Sequence, residues 1–160
     1  VQINFGSWDH HTNIYAANAQ LTPMARQFDT GLSNLINDLK AANLFDETLI
    51  FAMGEFGRTV GPPNSSAGRD HHPQQAALFA GGGVRGGRAI GVTDAAGGNI
   101  VQSGWSRQRE INNEDLEATI YSALGIDWTT TRRDDPLGRG FEYVPFADRD
   151  QYGPVNELFG

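Results

Sequence analysis

Thr48-Leu49-Ile50-Phe51-Ala52-Met53 reads as one apolar run, and it empties into Gly54-Glu55-Phe56-Gly57-Arg58-Thr59. An apolar run without polar alternation is the habit of a strand covered on both faces, as in a parallel sheet. The segment before it has a different period. Thr22-Pro23 has the form of an N-cap followed by a first-turn proline. Met24, Phe28, Leu32, Leu35, Ile36 and Leu39 follow at helical spacing, which predicts a long amphipathic helix from about Pro23 to Ala42. Gly31 inside it costs about 1 kcal/mol relative to alanine, and a close helix–sheet contact would explain its presence. With a candidate strand at residues 1–5 ahead of this helix, the strand–helix–strand order predicts an α/β sandwich.

Working outward, Val1-Gln2-Ile3-Asn4-Phe5 alternates like a strand already under way, which predicts a processed or truncated chain. It runs into Gly6-Ser7-Trp8-Asp9, so Asp9 is placed at a strand's C-terminal end, where open α/β sheets carry their sites. Downstream, residues 60–68 are rich in Gly, Pro, Asn and Ser and read as loop. Residues 76–80 predict a short strand, residues 81–87 a glycine-rich turn, and residues 88–92 a return strand. Asn113-Glu114-Asp115 opens a second helix with Leu116, Ile120 and Leu124 on one face and Gly125 as its C-cap. Beyond Asp127, charges and Pro136, Pro145 and Pro154 predict irregular chain. Residues 1–145 are assigned to one domain portion and residues 146–160 to an irregular tail.

Composition narrows the function classes. Hydrophobic residues make up 39% of the 160, enough for a core. A net charge of −7 argues against nucleic acid as a partner. An anionic substrate stays open, because a bound cation reverses the local field. The absence of cysteine excludes disulfides and thiolate metal sites. No apolar run is long enough for a membrane span.

All four histidines fall in two clusters, Trp8-Asp9-His10-His11 and Gly68-Arg69-Asp70-His71-His72-Pro73. Imidazole and carboxylate are the usual ligands of zinc, manganese and related ions. Asp9 and His11 are two positions apart, so on extended chain they face one side and reach one ion. The competing reading is a hydrogen-bonded surface pair. Asp70 and His71 are adjacent and converge only over a bend, which Gly68 permits; the competing reading is a polar turn. Two such clusters together favour a metal site. Glu55 and Arg58 follow the most apolar strand. Glu55 suits a ligand's supporting partner or a general base, and the planar fork of Arg58 suits a phosphate or sulfate. The alternative for both is a Glu–Arg ion pair. Asn64 and Arg69 are further candidates for holding an anion. The glycine run 81–87 lacks the Gly-Lys-Ser/Thr ending of a phosphate loop and reads as a turn. Trp8, Trp105 and Trp128 read as packing residues, with sugar stacking at Trp8 a remote option.

The motifs Gly6-Ser7-Trp8-Asp9-His10-His11-Thr12-Asn13, Gly54-Glu55-Phe56-Gly57-Arg58-Thr59, Gly68-Arg69-Asp70-His71-His72-Pro73, Gly81-Gly82-Gly83-Val84-Arg85-Gly86-Gly87 and Glu114-Asp115-Leu116-Glu117-Ala118-Thr119 occur in this order. The series resembles the C-terminal part of the sulfatase-like proteins called domain of unknown function 1501, over about Phe5 to Gly140. That family is similar to the alkaline phosphatase superfamily. The likeness implies an α/β/α sandwich, represented here by its C-terminal portion, and a two-metal hydrolytic centre. By order, Asp9 and His11 correspond to ligands of one metal and Asp70 and His71 to ligands of the other. The superfamily's upstream Asp and its Ser or Thr nucleophile have no counterpart in this chain. Nor is there a histidine beyond His72 to match its late histidine ligand.

What the resemblance implies is a divalent-metal-dependent hydrolase of phosphate or sulfate esters using zinc, manganese or calcium. Its substrate would be an anionic small molecule or glycan ester, and its location periplasmic or extracellular. The residues themselves, apart from the resemblance, offer Glu55 and Arg58 as the catalytic pair, with Arg58, Asn64 and Arg69 on the substrate. The alternative is a non-catalytic structural or interaction protein that keeps the scaffold, a surface or assembly component. A homo-oligomer, or pairing with an absent N-terminal segment, would cover exposed sheet edges.

Overall fold

The computed structural model describes residues 1–160. The chain divides into two compact units, Val1–Gly83 with Thr93–Ile100, and Val84–Val92 with Val101–Gly160. No helix is long and apolar enough to cross a membrane.

In the first unit the long helix, α1, runs Leu21–Ala41. It begins earlier than the proline signal predicts. Thr22 lies inside the first turn, and Gln20 precedes the helix without a side-chain cap. The helix ends where Asn43 turns left-handed (φ 57°) and the Leu44 N–H returns to the Leu39 carbonyl at 2.8 Å. None of its residues is buried. Met24, Leu32, Ile36 and Leu39 are half-buried, and Phe28 and Leu35 are exposed. A Cβ placed on Gly31 would meet nothing within 4 Å. The close contact that would explain this glycine is therefore not made within this chain.

Residues 1–5 form no strand. A strand needs a hydrogen-bonding neighbour, and this segment is anchored by its aromatic ring instead. Phe5 lies 6.1 Å from Trp8 and 6.4 Å from Phe28 of α1, and Trp8 donates its indole N–H to the Phe5 carbonyl at 2.8 Å. Asp9 therefore follows an irregular segment rather than a strand end.

The apolar run forms β1, Ile50–Ala52. The chain continues through β2 (Gly57–Arg58), β3 (His71–His72) and β4 (Leu78–Ala80). β1 pairs with β4, with Phe51 opposite Phe79 and their rings 4.8 Å apart. The pairing is antiparallel, against the parallel expectation. Apolar continuity reports burial, not strand direction, and here only Ile50 is buried while Phe51 and Ala52 are half-covered. β2 pairs with β3, Arg58 opposite His71, also antiparallel. The excursion between the partners β1 and β4 thus carries its own ladder. Gly57 is required there, because a Cβ would lie 1.7 Å from the Gln74 carbonyl oxygen. The short strands β5 (Val92–Thr93) and β6 (Ile100–Gln102) form a further sheet. The predicted return strand at 88–92 shrinks to this pair. Their connection is tied by the Asp94 carboxylate, which accepts from the Gly98 N–H at 2.9 Å and the Asn99 amide at 2.7 Å.

The second unit is organised by α2, Asn113–Ala123. Asp115 reaches back to the Asn112 N–H at 2.8 Å, a capping-box contact. Gly125 (φ +71°) follows the C-cap and donates to the Ser122 carbonyl at 3.0 Å. The buried face is Asp115, Ala118 and Thr119, not the Leu116–Ile120–Leu124 stripe that the spacing predicts; Leu124 is 63% exposed. Asp115 can be buried because its oxygens are saturated. It accepts from both terminal nitrogens of Arg109 at 2.7 and 2.8 Å and from the Gly153 N–H at 3.0 Å. Thr119 donates to the Asp115 carbonyl at 2.6 Å and accepts from the Val155 N–H at 2.9 Å. Around this polar spine pack Ala118, Val144 and Ala147, with Tyr121, Trp128 and Tyr152 at the edge. A last ladder joins β7 (Thr131–Arg132) to β8 (Phe141–Glu142). The tail beyond residue 145, expected to be irregular, contains two 3₁₀ turns and contributes buried Ala147 and Val155 to this unit.

Candidate metal centre

Two segments far apart in sequence are stitched side by side in the first unit. Thr12 and Ala67 form an antiparallel bridge, the Ile14 N–H donates to the Ala67 carbonyl at 2.8 Å, and the Arg69 N–H donates to the His10 carbonyl at 3.0 Å. Gly68 makes the seam possible. A Cβ there would sit 1.9 Å from the His11 carbonyl carbon. The β2–β3 ladder then sets Arg58 opposite His71, and the Thr59 N–H and Asp70 carbonyl continue it at 2.9 Å. Asp9 and His11 arrive from one segment, Arg58 from the second, and Asp70 and His71 from the third.

The side chains converge on one atom. Asp9 Oδ1 lies 2.6 Å from Arg58 Nη1, 2.8 Å from His11 Nε2 and 3.3 Å from His71 Nε2. His11 turns its other nitrogen, Nδ1, to Asp70 Oδ1 at 3.0 Å. One ligating atom from each of Asp9, His11 and His71 falls within 4.8 Å of the others. The rings of His11 and His71 are 5.0 Å apart, and Phe56 lies 4.1 Å from the His71 ring, so the loop that carries Arg58 also packs against His71. The Asp9 side chain is 53% exposed, leaving the cluster open to solvent.

Electrostatics follow the contacts. The Arg58 guanidinium beside Asp9, with smaller help from His71 and His11, holds its carboxyl below the ordinary 3.8. His11 and then Asn64 lower Asp70 in the same way. Both carboxylates are thus kept ionised, the form a cation needs.

The remaining candidates divide. Asn64 belongs to the cluster, but its amide is fully engaged. It donates to Asp70 Oδ1 at 3.0 Å and to the His11 carbonyl at 3.3 Å, and its oxygen accepts from the Ser66 and Gly68 N–H groups. Arg69 points elsewhere, onto the Tyr15 hydroxyl at 3.1 Å and the carbonyls of Thr59 and Gly61. Glu55 is exposed and is not among the converging groups. His72 faces the Gly98 carbonyl at 3.3 Å. The clamp role of Asn64 and the anchor role of Tyr15 were not readable from sequence, because neither sits in an Asp/His cluster.

One carboxylate oxygen and two imidazole nitrogens form a donor set that fits zinc, manganese or iron. Calcium, which takes six or more oxygen ligands, fits poorly. His71 lies with Asp9 and His11, while Asp70 contacts the other nitrogen of His11, so all four residues named by the resemblance meet in one cluster.

A family model described as "Protein of unknown function (DUF1501)" matches residues 1–146. No curated protein and no solved structure matches the chain.

Proposed function

The chain belongs to the DUF1501 family, and we propose that it carries the metal centre of a hydrolase acting on phosphate or sulfate esters. The observation that carries this reading is the convergence of His11 Nε2, His71 Nε2 and Arg58 on Asp9 Oδ1. Asp9, His11 and His71 would hold the ion. Asp70 holds the His11 ring by its Nδ1, which fixes the ring's orientation and raises its basicity as a ligand. Asn64 ties Asp70 to the His11 backbone, and Arg69 fastens the same loop to Tyr15 and the Thr59 carbonyl. A bound divalent ion would supply Lewis-acid stabilisation of charge on the ester oxygens. Arg58 would grip two non-bridging oxygens of the anion with its fork. Glu55, exposed on the same loop, would serve as proton acceptor. The substrate on this reading is an anionic small molecule or glycan ester. The α/β/α sandwich of the alkaline phosphatase type, the nucleophile on another segment, and a periplasmic or extracellular location belong to the same proposal.

Plasma mass spectrometry of the purified chain, beside an Asp70→Asn, His71→Ala double variant, tests it. Stoichiometric zinc, manganese or iron that disappears in the variant is the expected result. An absence of metal in both after metal addition would remove the proposal's basis.

The second reading is a non-catalytic scaffold or assembly protein. It is favoured by α1, which presents an apolar stripe and buries none of its residues. A chain that scatters light as a monomer at all concentrations would count against it.

A further inference from the structure

Asp9 Oδ1 is the ligand oxygen of the proposed centre, and it already has a cation on it. Arg58 Nη1 approaches to 2.6 Å, nearer than either histidine nitrogen. The arginine is not a casual surface neighbour. Its backbone is paired with His71 across the β2–β3 ladder, its guanidinium carbon lies 5.1 Å from the Phe56 ring centre, and its side chain is only 22% exposed. The contact is an ion pair without hydrogen-bond alignment, and a guanidinium tethered next to a carboxylate competes with any free cation for its charge. It also repels a dication at close range.

We infer that Arg58 is a built-in latch, a side-chain cation that occupies the ligand oxygen of Asp9 until a divalent ion displaces it. The inference rests on the metal-centre reading and deepens it. Displacement leaves the guanidinium without its carboxylate, and an arginine so released is the group that can take an anionic ester. The centre would thus couple its two functions. Without metal, Asp9 neutralises the group that should bind substrate; with metal, the group is free. Arg58 acts on metal affinity through Asp9 and is in that respect a positioning residue.

The test is calorimetric titration of Zn²⁺ into the chain and its Arg58→Gln, Arg58→Lys and Asp9→Asn variants, each first shown to be folded by circular dichroism. Arg58→Gln is expected to bind Zn²⁺ about tenfold more tightly than the parent, the scale of one ion pair plus the relieved repulsion. Arg58→Lys, which keeps the charge but loses the fork, is expected between the two. Asp9→Asn is expected to lose binding. Equal affinity in the parent and Arg58→Gln would overturn the latch while leaving the metal centre standing. Weaker binding in Arg58→Gln would overturn it as well, since the arginine would then be helping to hold the ligands. If neither the parent nor any variant takes up Zn²⁺, the metal-centre reading fails and the latch fails with it.

Discussion

Each unit of this protein contains an arginine paired with an aspartate, and the two pairs do opposite things. Asp115 in the second unit is wholly buried, takes both prongs of Arg109, and accepts two backbone N–H groups besides. No acceptor site is left for a ligand, and the pair acts as an internal strut. Asp9 in the first unit is half-exposed and faces one arginine and two imidazoles. Its partners are all donors or potential ligands, and solvent reaches it. Chemistry of the residue types does not separate these pairs. Burial and the identity of the remaining partners do. A saturated pair specifies structure; an open pair with convergent imidazoles can exchange its partner.

Breaking the strut should have the largest effect. Asp115→Ala leaves Arg109 without its carboxylate and strips acceptors from the Asn112 and Gly153 N–H groups. A loss of about 3–5 kcal/mol is expected, read by urea denaturation. If the loss falls below about 1 kcal/mol, the two pairs are not as different as the geometry implies. Next is the seam. Gly68→Ala forces a Cβ into the His11 carbonyl and should lower stability by about 1–3 kcal/mol. Unlike Asp115→Ala, it should also abolish metal uptake.

The open pair should respond in affinity rather than in stability. Asp70→Asn removes the carboxylate behind His11 and should weaken Zn²⁺ binding by about 10–100-fold, measured by competition with a chelating dye, while the denaturation midpoint scarcely moves. A large fall in the midpoint would mean that this carboxylate is structural after all. The pH dependence has a definite sign. Asp9 and Asp70 both titrate below their ordinary 3.8 in the folded chain. Their contribution is therefore complete above 3.8 and is lost as pH falls through the lower folded values. Both are more than half exposed, so the effect is small and screened by salt. Denaturation midpoints followed into acid should fall less steeply in Asp9→Asn than in the parent; identical slopes would show that the ionised Asp9 and its contacts contribute nothing to stability.

The smallest effect concerns α1. Gly31→Ala should stabilise the chain by about 0.5–1 kcal/mol, since the site is open and helical. A destabilisation would reveal a close neighbour on that face, as the sequence reading supposes.

Legibility in the sequence was uneven, for physical reasons. Both helices were readable because a period of 3.6 residues survives over three turns or more. The helix starts ahead of Thr22 because a proline at the first helical position or two residues further in gives the same local signal. Strand direction was not readable at all: the run ending in Met53 reports that its faces are apolar, and antiparallel β4 satisfies that as well as a parallel neighbour would. The face that α2 buries was misread because a saturated Asp115 and Thr119 can enter a core that hydrophobicity alone assigns to Leu116 and Leu124. The Asp/His clusters were visible as composition, but which histidine joins which aspartate depends on the Thr12–Ala67 bridge, a contact between segments with no complementary pattern.

That bridge also dictates an order of events. His11 and Asp70 are 59 residues apart, so bringing them together requires closing a long loop. The closure entropy scales to roughly 3–4 kcal/mol before any contact repays it. Local elements such as α1 can form in well under a millisecond, but the Asp9–His11–His71 cluster cannot exist until the seam has zipped. On the proposed metal-centre reading, ion capture would therefore be a late step of folding, and its rate would report when the first unit closes.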